Sequence, residues 1–244
     1  MKAAETPSST VLSESVESIR ILTLNRPEKK NAANLDMQER LLDHLQSIAA
    51  DREARVLILT GAGRAFSAGG DREYLRQIAA GEQKDQEALA KVHAGTIRCM
   101  LGLSIPVIAA VNGPAVGYAA GLVAMCDLVV IGEDGFLCDP HVTFGIGANT
   151  ATQLIWPRLA SEILAREILM SGRRVCAAEA VQIGLANRQC ASGMELQTAM
   201  ELAKVFAGLP PAGVASTKRA FNQPLIDSME KVLGVRPLRA HEGC

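Results

Sequence analysis

Hydrophobic positions along this chain follow two rhythms that take turns. Residues 19–24 alternate apolar and polar side chains as a strand does, and Asn25-Arg26-Pro27-Glu28-Lys29-Lys30-Asn31 closes the run as a loop. Over residues 35–51, Leu41, Leu42, Leu45 and Ile48 return at helical spacing. Residues 55–60 read as a second strand. Residues 74–103 read as helical with a break near Gly81, and predict a flap over a site. Strands follow at 107–111 and 128–131, with at least a helical turn at 122–125 between them. Residues 151–165 and 177–183 look helical. The helix predicted over 194–207 stops at Gly208, with Pro210 and Pro211 behind it. Residues 214–233 form a last helix, interrupted at Pro224. Residues 1–15, rich in Ser, Thr and Glu, predict a disordered tail. Repeated strand–helix alternation means α/β architecture.

Composition narrows this picture without changing it. At 244 residues and 48% hydrophobic, the chain can bury a full core. Lys and Arg number 25 against 26 Asp and Glu, so the net charge of −1 offers no bulk attraction to nucleic acid or an anionic membrane. The six cysteines show no CxxC pair and no metal-ligand spacing, which predicts buried, reduced thiols in a cytoplasmic setting. The first residues lack an apolar signal-peptide core. The apolar run over 105–131 is broken by Asn112, Gly113, Pro114 and Asp127, so no membrane span is expected.

Two segments carry candidate chemistry. In Pro106-Val107-Ile108-Ala109-Ala110-Val111-Asn112-Gly113-Pro114-Ala115-Val116-Gly117-Tyr118, a buried strand runs into an Asn-Gly turn and then opens an apolar helix. Such a junction presents backbone N–H groups where negative charge can sit. Residues 56–71, ending Phe66-Ser67-Ala68-Gly69-Gly70-Asp71, repeat the design. Together they suggest an oxyanion hole made by main chain.

These motifs, with Asn25-Arg26-Pro27 and Asn31-Ala32 before them and Asp139-Pro140-His141-Val142, Ala177-Ala178-Glu179-Ala180, Gly184-Leu185 and Thr217-Lys218-Arg219-Ala220 after, resemble the crotonase superfamily. The resemblance, to the enoyl-CoA hydratase/isomerase group, runs in order from about residue 19 to 233. It implies a spiral core of ββα units over residues 16–190 and a helical C-terminal region over 191–244. It also implies acyl-CoA thioester substrates, no cofactor beyond the coenzyme A of the substrate itself, and a homotrimer or homohexamer. By the same resemblance the amides of Ala68 and Tyr118 bind the thioester oxygen. Lys29, Lys30 and Arg64 lie on loops that in this group approach the CoA phosphates or adenine.

The chain also departs from its group. Hydratases of this kind use two glutamates; here those positions hold Gly121 and His141. The loop 145–151 is one residue shorter than the usual pattern and lacks its proline, and the C-terminal region is short. His141 can act as acid or base at the carbon beside a thioester, or can be a structural histidine bonded to backbone. Asp139 is the nearest acid in sequence, but the two side chains are expected to face opposite ways. Asp71 is expected to cap the next helix, Asp127 to be a buried structural acid, Tyr74 and Tyr118 to pack, and Trp156 to lie in the core. The leading expectation is an acyl-CoA enzyme of hydratase/isomerase type. Its rivals are decarboxylation, thioester hydrolysis or C–C cleavage through the same enolate, or a silent homologue that binds CoA or RNA.

Overall fold

The computed structural model describes residues 9–81 and 83–233. In chain order the elements are β1 (Val11–Val16), β2 (Ile19–Leu24), α1 (Leu35–Ala50), β3 (Val56–Gly61), α2 (Arg72–Ala80), α3 (Gln83–Gly102), β4 (Val107–Val111), β5 (Pro114–Val116) and α4 (Tyr118–Ala124). There follow β6 (Leu128–Gly132), β7 (Phe136–Cys138), α5 (Thr150–Leu159), α6 (Glu162–Ser171), β8 (Arg174–Cys176), α7 (Ala177–Gln182), β9 (Arg188–Cys190), α8 (Glu195–Ala207) and α9 (Pro211–Leu233). Short 3₁₀ turns occupy Pro27–Lys29 and His141–Phe144.

Six strands form one sheet in the order β1-β2-β3-β4-β6-β9, parallel throughout except for the β1–β2 hairpin. A second sheet orders β5-β7-β8. Both β3 and β4 are buried at every position, which explains why they read as continuous apolar runs rather than as alternation. Leu57, Leu59, Val107, Ala109 and Val111 face a large core that holds Phe66 and Trp156. Val56, Ile58, Ile108 and Ala110 face the other way, against Ala199, Leu202 and Ala203 of α8. Sheet twofold periodicity thus feeds two cores from the same strands. Trp156 is core, as expected, at 1% exposure.

Three expectations need correction. Residues 11–15, read as part of a tail, belong to an edge strand that runs to Val16 and pairs with β2; the expected tail's residues 1–8 lie outside the described residues. In β1 only Val11 is fully buried, so its backbone ladder holds it, with little help from an apolar face. Pro224 does not interrupt α9. It sits on the exposed side, where water can satisfy the carbonyl that its missing N–H leaves free. The predicted helix over 151–165 is two helices, because Ser161 accepts a hydrogen bond from the Leu164 amide and caps α6. The strands β5, β7, β8 and β9 are three residues long, too short to register as periodicity.

A cavity of about 900 Å³ opens beside Pro106, Asp127, Leu128, Lys218 and Phe221. These residues lie at the starts of β4 and β6 and along α9. The loops of interest leave the opposite ends of β3 and β4. Among the described residues no helix is long and apolar enough to cross a membrane.

Candidate active site

Two loops after β3 and β4 are built as one unit. Asn31, buried and at φ +55°, donates its amide nitrogen to the carbonyls of Ala62 (2.8 Å) and Ala65 (2.7 Å). The Ser67 hydroxyl donates to the Asn31 carbonyl at 2.7 Å. Asn112, in the Asn-Gly turn, donates to Gly61 and Gly63 carbonyls at 2.8 and 2.9 Å. The loops then run side by side: Ser67 N–H donates to the Pro114 carbonyl and Val116 N–H to the Ser67 carbonyl, both at 3.0 Å. A Cβ on Gly69 would fall 2.6 Å from the Val116 oxygen and 3.8 Å from the Tyr118 amide nitrogen, so the second loop abuts the start of α4.

The amide of Ala68 does not belong to a substrate site. It donates to the Lys30 carbonyl at 2.8 Å and is therefore spent on the fold. Gly70 is different. Ala33 donates to the Gly69 carbonyl (2.7 Å) and Asp71 donates to the Ala33 carbonyl (3.0 Å), a parallel bridge that turns Gly70's own N–H away from its partner. Among the described residues neither the Gly70 nor the Tyr118 amide has an acceptor, while Gly69, Asp71 and Gly117 amides beside them are all bonded. The available pair is Gly70 and Tyr118. Sequence spacing placed the loop correctly; only the pairing of Gly70 with Ala33 decides which of its amides is free.

The expected separation of Asp139 from His141 also fails. Strand β7 ends at Cys138, and the 3₁₀ turn that begins at His141 brings the two side chains together. His141 Nδ1 is hydrogen-bonded to Asp139 Oδ1. The other carboxylate oxygen accepts from the Asn149 amide at 2.8 Å and from the Thr152 hydroxyl. Burial alone would raise the Asp139 pKa, but the bonds from His141, Thr152 and Asn149 outweigh it and hold the carboxyl below its ordinary value. Its partner imidazole is 30% exposed, against 0% for Asp139. The outer edge of the ring meets Gly117: a Cβ there would lie 3.3 Å from His141 Cε1 and 3.7 Å from Nε2. Gly117 is at φ +55°, a conformation that itself favours glycine. An imidazole oriented by a buried carboxylate therefore stands one residue from a free amide at a helix start.

Two further groups complete the wall, neither singled out by the sequence. His93, on α3, stacks on the Tyr118 ring at 5.2 Å between centroids and 21° between planes, and its Nε2 meets Gln38 Oε1 at 2.5 Å. Burial, with a smaller push from His141, lowers its pKa to about 4. No motif surrounds it, so only its position makes it notable. Tyr118 packs as expected, with its hydroxyl buried and its pKa raised by that burial. The second group is Asn149, whose carboxamide lies against Gly121.

The remaining candidates fall into place around this centre. Asp71 caps α2, accepting from Glu73 and Tyr74 amides, and pairs with Arg26 at 3.0 Å. Asp127, expected to be buried, pairs with Lys218 at 2.7 Å but leaves its side chain 23% exposed. Lys29, Lys30 and Arg64 are exposed. Their loops adjoin, since a Cβ on Gly63 would lie 3.3 Å from Pro27 Cβ, and none of the three forms an ion pair among the described residues.

A two-sheet α/β core presents two loop amides without acceptors beside an imidazole, an arrangement suited to holding negative charge. The family model described as enoyl-CoA hydratase/isomerase matches residues 14–237, and the chain belongs to that family, within the crotonase superfamily. The chain is 34% identical over 208 residues to the 2,3-dehydroadipyl-CoA hydratase of Escherichia coli strain K12, covering 84% of this chain and 78% of that protein. The crystal structure of an enoyl-CoA hydratase/isomerase from Mycobacterium paratuberculosis superimposes with a TM-score of 0.88 at 38% identity, covering 93% and 90% of the two chains. A monofunctional enoyl-CoA isomerase from M. smegmatis gives 0.74 at 30% identity, covering 95% and 97%. The function is acyl-CoA processing of the hydratase/isomerase type.

Proposed function

We propose that this protein shifts the double bond of an enoyl-CoA by proton transfer through a single base, His141. The Gly70 and Tyr118 amides would receive the thioester oxygen. His141 Nε2 would take a proton from C2 of a 3-enoyl thioester; the electron pair spreads over the dienolate and onto that oxygen, and the same proton returns at C4. The product is the 2-enoyl thioester, so no other reactant is needed. Asp139 holds the tautomer that leaves Nε2 as the proton carrier and stabilises the imidazolium while it lasts. Free amides fixed before charge develops supply the larger share, each worth roughly 3–4 kcal/mol in comparable sites.

The observation that carries this reading is the placement of His141 Nε2 at Gly117, with Nδ1 on Asp139, next to the free Tyr118 amide. The identity to a monofunctional isomerase supports it. The exposed Lys29, Lys30 and Arg64 are the proposed contacts for the CoA phosphates. Cys126, Cys138, Cys176 and Cys190, which form no disulfide among the described residues, favour a cytoplasmic setting. Exposed Ile163 and Met170 favour the burial of surface between copies, as a trimer or a pair of trimers.

The test is turnover of trans-3-hexenoyl-CoA followed by absorbance of the conjugated product. His141→Ala is expected to lose about 10²–10⁴-fold in kcat, and Asp139→Asn to lose nearly as much. An unchanged kcat in His141→Ala removes the histidine from the mechanism. One rival has a specific observation behind it: the same dyad beside free amides could direct water to the thioester carbonyl. Release of free CoA thiol, faster than double-bond migration, would make the protein a thioester hydrolase instead.

A further inference from the structure

Gly121 lies one helical turn beyond Tyr118 on α4, and the space over it is already taken. A Cβ there would sit 2.6 Å from Asn149 Oδ1, 2.9 Å from its Cγ and 3.0 Å from Nδ2. Asn149 reaches this position from the far side of the site. Its backbone N–H donates to Asp139 Oδ2, so the carboxylate that orients His141 also anchors Asn149. Its Oδ1 accepts from the Ala151 N–H at 2.9 Å and caps α5, which settles the orientation of the amide. What remains is Nδ2, a donor with no acceptor among the described residues.

We propose that the Asn149 carboxamide is the specificity-determining group of this site: seated over Gly121, it bars water addition and confines the chemistry to proton transfer by His141. The inference rests on the enolate reading given above. Adding water across a 2-enoyl thioester requires a water beside C3 and a base to take its proton as the C–O bond forms. Over Gly121 there is a donor instead. A water bound to Nδ2 would accept that hydrogen bond and meet there no lone pair able to take its own proton. The Asn149 oxygen cannot serve as the base, because an amide oxygen is scarcely basic and this one is engaged by Ala151. His93, the other imidazole, donates Nε2–H to Gln38 and is a weak base at neutral pH, its pKa lying at about 4. A helix cap alone would not require this arrangement, since Asp caps equally well without a donor.

The experiment measures hydration of crotonyl-CoA, by loss of conjugation and by incorporation of ¹⁸O from labelled water, in the wild-type chain and two variants. Asn149→Asp keeps the cap and replaces the donor with a carboxylate. Gly121→Glu combined with Asn149→Ala clears the volume and brings a carboxylate from α4. Each variant is checked for a cooperative melt. Wild type is expected to hydrate negligibly, and at least one folded variant to gain tenfold or more. A gain below tenfold in both variants, or brisk hydration by the wild type, overturns the proposal. Lack of 3-hexenoyl-CoA isomerisation in the wild type would overturn the function proposed above and leave this readout intact.

Discussion

His93 shows how burial converts one side chain into a pH-dependent element of stability. In the unfolded chain its imidazole takes a proton near 6.5; in the fold it resists until about 4. Between these values the unfolded state holds more protons, so stability rises with pH and is lost as pH falls through that window. The full effect is on the order of 3 kcal/mol at its upper limit. Calorimetric melting at pH 7 and pH 4.5 should show a fall in Tm that His93→Gln largely removes. Asp139 adds to acid sensitivity at lower pH, because a carboxyl held below its ordinary value contributes stability that disappears when it is protonated. Of these residues, His141 was legible by its place in a motif. Asp139 was visible but misplaced, since a two-residue spacing brings side chains together or apart according to where the strand ends. His93 and Asn149 had no local signal; their roles come from stacking and from a filled space.

At the scale of elements, the loop after β3 depends on one buried amide. Asn31 supplies donors to two loop carbonyls at normal length and a third, longer bond to Phe66 at 3.3 Å. Asn31→Ala would leave the Ala65 and Phe66 carbonyls without this partner. Urea denaturation is expected to register a loss of about 2–4 kcal/mol. The rate of the proposed isomerisation should fall as well, because the loop carries the Gly70 amide. The free amide itself can be removed: Tyr118→Pro sits at the first position of α4, where proline is tolerated, and deletes the N–H. A drop of about 10²–10³-fold in kcat is expected. Tyr118→Ala, which loses the phenol but keeps the N–H, should retain most of the activity. Equal losses in both variants would transfer the role from the backbone to the side chain. Longer elements were readable, α1 and α8 from periodicity and β3 and β4 from continuous apolar runs. Their short companions β5 and β7, which position Gly117 and Asp139, were not.

Across the whole molecule, an ion pair between a buried lysine and a partly exposed aspartate ties the C-terminal helix to the sheet. Lys218 of α9 donates to Asp127 at 2.7 Å and to the Ile105 carbonyl at 2.9 Å, while Asp127 also accepts the Val107 amide at 2.7 Å. The lysine side chain is only 5% exposed. Lys218→Met should destabilise the fold by about 3–5 kcal/mol, because it strands a partly buried carboxylate. Lys218→Met with Asp127→Asn should recover most of that loss in the same denaturation assay. If the double variant is no better than the single, the cost lies in lost packing rather than in the unpaired charge.

What the sequence determined alone was local or ordered along the chain: apolar periodicity for the long elements, helix stops and caps, and the succession of motifs that identified the superfamily. Those signals depend on neighbours a few residues apart, so they survive without coordinates. Tertiary structure decided the rest. It assigned the free amide to Gly70 rather than Ala68, joined Asp139 to His141, and filled the space over Gly121 with Asn149. Each of these turns on where a hydrogen-bonding group points or which volume is occupied. Both are settled by pairing between segments distant in sequence.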